Sequence, residues 1–126
     1  MQSIAKVVAL SFLFSHAAHA VDASITTFGS KKVHELKNIS ILCDGKNTNG
    51  NMVISQDGAN LEIPLSSIRL LRTLQHPTGF FIKTLSGKEM THNKMSCSDY
   101  QWVGENEFGG STSIGGTKWR QLLIQG

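Results

Sequence analysis

Two histidines near the amino terminus, His16 and His19, have the spacing of a metal-binding pair. They lie three residues apart in "SHAAHAVD" (Ser15–Asp22), among alanines. On a helix this spacing puts both imidazoles on one face, where they could hold a metal ion. The residues that precede them argue for a different interpretation.

The first twenty residues have the layout of a secretory signal peptide. Lys6 precedes a run, Val7–Phe14, that is apolar apart from Ser11 and too short to cross a bilayer. Ala18 and Ala20 are the small residues that signal peptidase recognises. We therefore predict a helical signal peptide over 1–20, cleaved after Ala20 with both histidines lost, and one mature domain over 21–126. The location is periplasmic or extracellular, and the short signal favours a bacterial source.

Two acidic residues, Glu105 and Glu107, have the spacing of a catalytic pair. On a strand they would share a face, as the two acids of a glycosidase do. A small periplasmic hydrolase using Glu105 or Glu107 with His92 is therefore one hypothesis. However, acidic residues near glycine-rich turns are usually solvated, and the chain has no nucleophile motif. We expect no enzyme activity and no catalytic residue.

The remaining histidines, His34, His76 and His92, are scattered. None belongs to an HxxxH or HExxH pattern, and none has zinc-finger spacing with a cysteine. Exposed positions in loops or strands explain them. We predict no metal site and no cofactor.

The best candidate binding residues are aromatic: Tyr100, Trp102 and Phe108. Tyr100 and Trp102 share a face of the extended segment "SDYQWVGENEF", and Phe108 begins the glycine-rich loop "FGGSTSIGG" (Phe108–Gly116). Such a pair beside a mobile loop could form a platform for a sugar or a protein. This hypothesis predicts that Trp102 is partly exposed. The alternative is that the pair forms the apolar floor beneath Cys97.

Cys43 and Cys97 are the two cysteines of the chain. Neither belongs to a CxxC motif, and an even number of cysteines in an exported protein indicates a disulfide. We predict a Cys43–Cys97 bridge.

Composition and charge exclude several classes of protein. The net charge is only +3, from 12 basic and 9 acidic residues, which gives no basis for nucleic-acid binding. No cysteine follows the predicted cleavage site to carry a lipid, so we expect no stable membrane anchor.

Turn signals recur along the mature chain at intervals of a few residues, as in an antiparallel β domain. We predict an all-β fold, a small antiparallel sandwich or barrel of about 6–8 short strands with one disulfide. The clearest predicted strands are 38–42, 51–55, 61–65, 80–85 and 117–125, and "QDGAN" (Gln56–Asn60) is predicted to join the second and third as a hairpin.

Two segments carry more specific predictions. Pro64 donates no hydrogen bond, so the strand "LEIPL" (Leu61–Leu65) should lie at an edge of a sheet or end at that residue. The segment Ser66–Gln75 has apolar residues that fit either a helix or a strand. We favour a strand, and a short helical turn leading into it would satisfy both patterns.

These features favour a non-enzymatic binding protein of the periplasm or the exterior, such as an inhibitor, an accessory subunit or an adaptor. Its expected partner is another protein or a glycan. Besides the hydrolase, the remaining alternative is a module that self-assembles, or captures a peptide, through an exposed edge strand. The oligomeric state does not follow from the sequence.

Overall fold

The computed structural model describes residues 21–74, 79–92 and 94–125, with the backbone alone for His92. Over these ranges the chain forms one 3₁₀ turn, Leu65–Ser67, and twelve strands. The strands are β1 (Asp22–Thr27), β2 (Val33–Cys43), β3 (Lys46–Asn47), β4 (Asn51–Gln56), β5 (Ala59–Pro64), β6 (Ile68–Leu74), β7 (Gly79–Thr84), β8 (Glu89–His92), β9 (Lys94–Met95), β10 (Tyr100–Glu105), β11 (Ser111–Gly115) and β12 (Trp119–Gln125).

The predicted all-β class is confirmed, since the strands form antiparallel sheets. The predicted strand number of about 6–8 is too low, because the described residues form twelve. Three of the strands, β3, β8 and β9, are only two to four residues long. Strands this short contain too few residues for an alternation of apolar and polar positions to identify them.

Nine strands form one large sheet in the order β11-β10-β2-β1-β12-β6-β7-β8, with β3 paired to β2. Strand β2 is long enough to serve two neighbours, because Val33–Leu36 pairs with β1 and Lys37–Cys43 pairs with β10. Gly104 of β10 lies where the two strands approach closely. A Cβ at this position would be 2.8 Å from the Cβ of Leu36, so only glycine fits there.

The other three strands form a small sheet in the order β5-β4-β9. A two-residue turn, Asp57-Gly58, joins β4 to β5, and both residues have positive φ (49° and 81°), as a type I′ turn requires. The predicted hairpin is therefore confirmed. Pro64 is the last residue of β5, which is an edge strand in the described part of the chain, so the prediction for Pro64 is also confirmed.

The core lies between the two sheets. Met52 and Ile54 of the small sheet are fully buried, and β4 contacts both β2 and β8 of the large sheet. Fully burying one such aliphatic side chain contributes about 1.5–3 kcal/mol relative to exposure. The fully buried residues of the large sheet include Ile25, Ile41, Ile68, Leu71, Ile82, Trp102, Trp119 and Leu122.

The ambiguous segment Ser66–Gln75 is, as far as Leu74, a strand preceded by a helical turn, and Gln75 lies outside the described residues. The 3₁₀ turn ends at Ser67 and β6 begins at Ile68. No serine caps this turn, because its N-cap is Pro64, and the Ser67 hydroxyl donates to the Pro64 carbonyl instead (2.8 Å).

The predicted disulfide is confirmed: Cys43 and Cys97 are bonded, with their Cα atoms 5.6 Å apart. The bridge ties the end of β2 to the segment that precedes β10. Beside it, the Ser98 hydroxyl and the Asp99 N–H both donate to the Asp44 carboxylate (3.0 Å each) and lower its pKa. A disulfide is compatible with an exported protein. The predicted signal peptide, with His16 and His19, lies outside the described residues.

Candidate functional site

The hairpin of β10 and β11 carries all three candidate binding residues, but it does not bring them together. Tyr100 begins β10, and Phe108 lies in the turn at the other end of the hairpin. From Tyr100 to Glu105 the strand rises about 17 Å, at about 3.4 Å per residue. Tyr100 and Phe108 therefore belong to separate surfaces, which we call the base and the tip of the hairpin.

The prediction that Trp102 is partly exposed is wrong, because its side chain is 0% exposed. It does share a face of β10 with Tyr100, but that face is the inner one, where Trp102 pairs with Ile41 of β2 and Ile114 of β11. Its ring contacts Trp119 edge-on at 5.3 Å between centroids. Trp102 is a core residue and cannot contact a partner directly.

Tyr100, at the base, is partly buried and its hydroxyl is fixed. The hydroxyl accepts a hydrogen bond from Trp119 Nε1 (2.8 Å) and donates to the Gly116 carbonyl (3.2 Å). Burial raises the pKa of Tyr100 to about 12, so the side chain is neutral at physiological pH. Gly116 packs directly on the ring: a Cβ there would be 2.6 Å from Tyr100 Cε1.

A cavity of about 790 Å³ opens at the base of the hairpin. Four aromatic residues line it: Phe28, Phe80, Tyr100 and Trp119. Phe80 stacks on Trp119 (6.0 Å, 17° between planes) and meets Tyr100 edge-on (6.2 Å). The cavity has the size and the apolar walls of a typical small-molecule site.

Phe108, at the tip, is 88% exposed, the highest value among the large apolar residues described. The turn that carries it is held by Asn106. The Asn106 Oδ1 accepts from the N–H groups of Phe108 (2.9 Å) and Gly110 (3.1 Å), and its Nδ2 donates to the Thr112 hydroxyl (2.9 Å). Backbone bonds between Asn106 and residues 109 and 110 complete the turn. Phe108 is therefore presented on a preorganised turn.

The stretch Phe108–Gly116, predicted to be a glycine-rich loop, is mostly strand. Residues 111–115 form β11, with Ile114 buried in the core. The alternation of Thr112 and Ile114 with serines explains the strand, because it lets one face pack inward. Only the turn at its start and Gly116 at its end remain outside the strand.

The structure places the two proposed catalytic glutamates together but puts His92 on a different part of the sheet. Glu105 and Glu107 are exposed and line a cavity of about 300 Å³ together with Asp22 and Glu35. His92 lies on β8, at one edge of the large sheet, and five strands separate it from β10. It also pairs with Phe80, whose ring contacts Tyr100, at the opposite end of β10 from Glu105.

The two other histidines give the hydrolase hypothesis little support. His34 and Glu107 line one depression of about 140 Å³, which is small for a substrate pocket. His76 lies outside the described residues. Among the residues described, no three His, Cys, Asp or Glu side chains are grouped so that they could hold a metal ion.

Strand β5 is an edge with free backbone groups in the described structure. In a two-residue hairpin the residues flanking the turn, here Gln56 and Ala59, form a hydrogen-bonded pair. The alternation along β5 then turns the backbone groups of Asn60 and Glu62 away from β4. The edge can therefore accept another strand.

Comparison of the chain with protein-family models, with curated proteins and with solved structures finds no match. In the described ranges, no helix is both long and apolar enough to cross a membrane.

Sequence reasoning missed several residues that build these surfaces. Asn106 was detectable, because an asparagine followed by Gly-Gly after two residues is typical of a turn that its side chain stabilises. Phe28, Lys94 and Trp119 were not, since the residues lining the cavity come from segments far apart in the chain.

Proposed function

We propose that the protein is an exported, non-enzymatic binding protein that captures a partner protein by placing Phe108 in an apolar pocket of that partner. The observation that carries the proposal is the 88% exposure of Phe108 on a turn whose backbone is fixed by Asn106. Burying a phenylalanine side chain releases about 1.5–3 kcal/mol. In the protein alone, Phe108 gains almost none of this.

The rigidity of the turn supports recognition. A loop that is already ordered loses little conformational entropy on binding, so more of the burial energy appears as affinity. Single aromatic residues of this kind dominate many protein interfaces.

The surroundings of Phe108 resemble the rim of an interface. Val33 is 46% exposed and lines the same shallow depression, together with Lys32, His34 and Glu107. An apolar centre with a polar, charged rim is the usual arrangement of a protein-binding patch. The disulfide and the predicted signal peptide support action outside the cytoplasm.

Capture from an envelope fraction tests the proposal. Wild type, Phe108→Ala and Leu85→Ala are immobilised, and the retained proteins are compared by mass spectrometry. Leu85 is the matched control, because it is also an exposed apolar residue (58%) but follows β7 in another turn. We expect a partner retained by wild type and Leu85→Ala and lost with Phe108→Ala. Identical retention by all three proteins would contradict the proposal.

A second candidate function is strand addition at β5, favoured by the outward backbone groups of Asn60 and Glu62. Natural edges are often protected by lysine, which β5 lacks, and the protective residues that β5 does carry are Glu62 and the terminal Pro64. Self-assembly predicts a concentration-dependent dimer in light scattering, which Asn60→Lys would weaken by placing a charge at the edge. A strict monomer at every concentration would contradict self-assembly.

A further inference from the structure

The cavity at the base of the hairpin is independent of Phe108, and its lining indicates what it would hold. Its walls are mostly apolar: besides the four aromatic residues, Leu74 and Met95 line it, and the polar side chains Thr73, Ser98 and Thr117 are among the other lining residues. The Tyr100 hydroxyl already has two hydrogen-bond partners within the protein, because it accepts from Trp119 and donates to the Gly116 carbonyl. The walls therefore offer apolar contact more than hydrogen bonds.

The wall geometry is fixed before anything binds. Tyr100, Phe80 and Trp119 pack on one another, and Gly116 leaves no room for the tyrosine ring to move toward it. Phe28 differs from these, because it is 41% exposed and so has apolar surface available for a ligand. A preformed apolar cavity binds without first reorganising its walls.

The rim of the cavity carries one charged side chain among the described residues. Lys94 is the one charged residue among the described residues that line the cavity, and no acidic side chain lines it with Lys94. Lys94 and Ser96 are both exposed, both line the cavity, and flank the buried Met95, so their side chains lie on the same side of the chain. An ammonium group and a nearby hydroxyl can both donate to a carboxylate.

We propose that this cavity binds a small amphipathic carboxylate, with its apolar body against Phe28 and the aromatic walls and its carboxylate at Lys94. The volume of about 790 Å³ accommodates such a molecule. The apolar body supplies most of the affinity, and the lysine supplies selectivity for an anion.

Titration calorimetry with dodecanoate and with dodecanol tests the proposal. Dodecanol has the same chain without the charge, and both ligands are kept below the micelle concentration. We expect wild type to bind dodecanoate about fivefold more tightly than dodecanol, the value of one partly exposed ion pair. Lys94→Gln should abolish that difference. Lys88→Gln is the matched control, because Lys88 is an exposed lysine that does not line the cavity.

The variant Phe28→Ala tests whether the apolar body of the ligand lies against Phe28. It should weaken both ligands by about fivefold, since each loses roughly 1 kcal/mol of apolar contact. Near-ultraviolet circular dichroism checks that each variant keeps the native packing. Absence of saturable binding, equal affinity of wild type for the two ligands, or equal effects of Lys94→Gln and Lys88→Gln would overturn the proposal. So would unchanged binding in Phe28→Ala.

Discussion

The two ends of the β10–β11 hairpin carry aromatic residues in opposite situations. At the base, Tyr100 is partly buried, packs on Phe80 and Trp102, and has its hydroxyl bonded on both sides. At the tip, Phe108 is 88% exposed, and the hydrogen bonds around it involve the backbone of the turn and the side chains of Asn106 and Thr112. One hairpin thus presents a concave aromatic wall and a protruding aromatic side chain.

This difference separates stability from recognition. The base residues stabilise one another, so substitutions there should lower the free energy of unfolding. Phe108 contributes little to packing, so its substitution should change affinity and leave stability nearly unchanged. The predictions below test this separation, in order of decreasing effect on stability.

Removal of the disulfide should have the largest effect. Cys43→Ala with Cys97→Ala opens a loop that spans 54 residues of sequence separation. The chain-entropy model gives a loss of about 4 kcal/mol in the free energy of unfolding for a loop of this length. Urea denaturation measures the loss. A change below about 1 kcal/mol would show that the base is held by packing alone and not by the bridge.

Ionisation of Tyr100 should destabilise the protein at high pH. The pKa of Tyr100 is about 12 in the folded protein and its ordinary value is 10.0. The stability that the neutral side chain contributes is therefore fully present below pH 10 and is lost as pH rises toward 12. Two pKa units correspond to a loss of roughly 2–3 kcal/mol. Because the chain contains one tyrosine, tyrosinate absorbance reports on this residue alone.

Tyr100→Phe is the control for the alkaline effect. It should remove the tyrosinate signal and flatten the decline in stability between pH 10 and 12. At neutral pH it should cost about 1–3 kcal/mol, because the buried Trp119 N–H loses its acceptor. A midpoint of the wild-type absorbance titration near pH 10 would contradict the buried, fixed hydroxyl.

Asn106→Ala should loosen the tip at a smaller cost. The substitution removes an acceptor for two backbone N–H groups and a donor to Thr112, worth about 1 kcal/mol in net stability. Hydrogen exchange at the amides of Phe108 and Gly110 should accelerate, while amides at the base stay unchanged. Accelerated exchange at both ends would contradict the independence of the two surfaces.

Phe108→Ala should have the smallest effect on stability, within about 0.5 kcal/mol, as for other exposed substitutions. Thermal unfolding measures it beside wild type. A loss of 2 kcal/mol or more, the order of a core truncation, would place Phe108 in the packing of the tip.

Much of the fold follows from local sequence signals. Asp57-Gly58 predicts the β4–β5 hairpin, and Pro64 predicts the end of an edge strand. The disulfide is predicted from two cysteines in a chain expected to be exported. Each of these predictions depends on chemistry within a few residues or on composition. The number of strands does not follow, since β3, β8 and β9 are only two to four residues long. Strands β3 and β8 are short partners of the preceding strands β2 and β7, and β9 exists only through pairing with the distant strand β4.

The candidate site is predicted less well, for a physical reason. Alternation places Tyr100 and Trp102 on one face of β10, but it does not say whether that face is covered. Trp102 is completely buried, and Trp119 of β12 packs against it edge-on, a contact between two strands that do not pair with each other. Phe108 was correctly singled out as a loop residue, because the turn signals around it are local; its role in binding stays a prediction.

The most direct test of the recognition claim is calorimetric titration of the captured partner into wild type, Phe108→Ala, Phe108→Tyr and Leu85→Ala. We expect Phe108→Ala to weaken binding by about 30-fold or more, the effect of an interface residue worth about 2 kcal/mol. Phe108→Tyr should keep most of the affinity and Leu85→Ala nearly all of it. Equal affinity for wild type and Phe108→Ala would contradict the role of the tip in recognition.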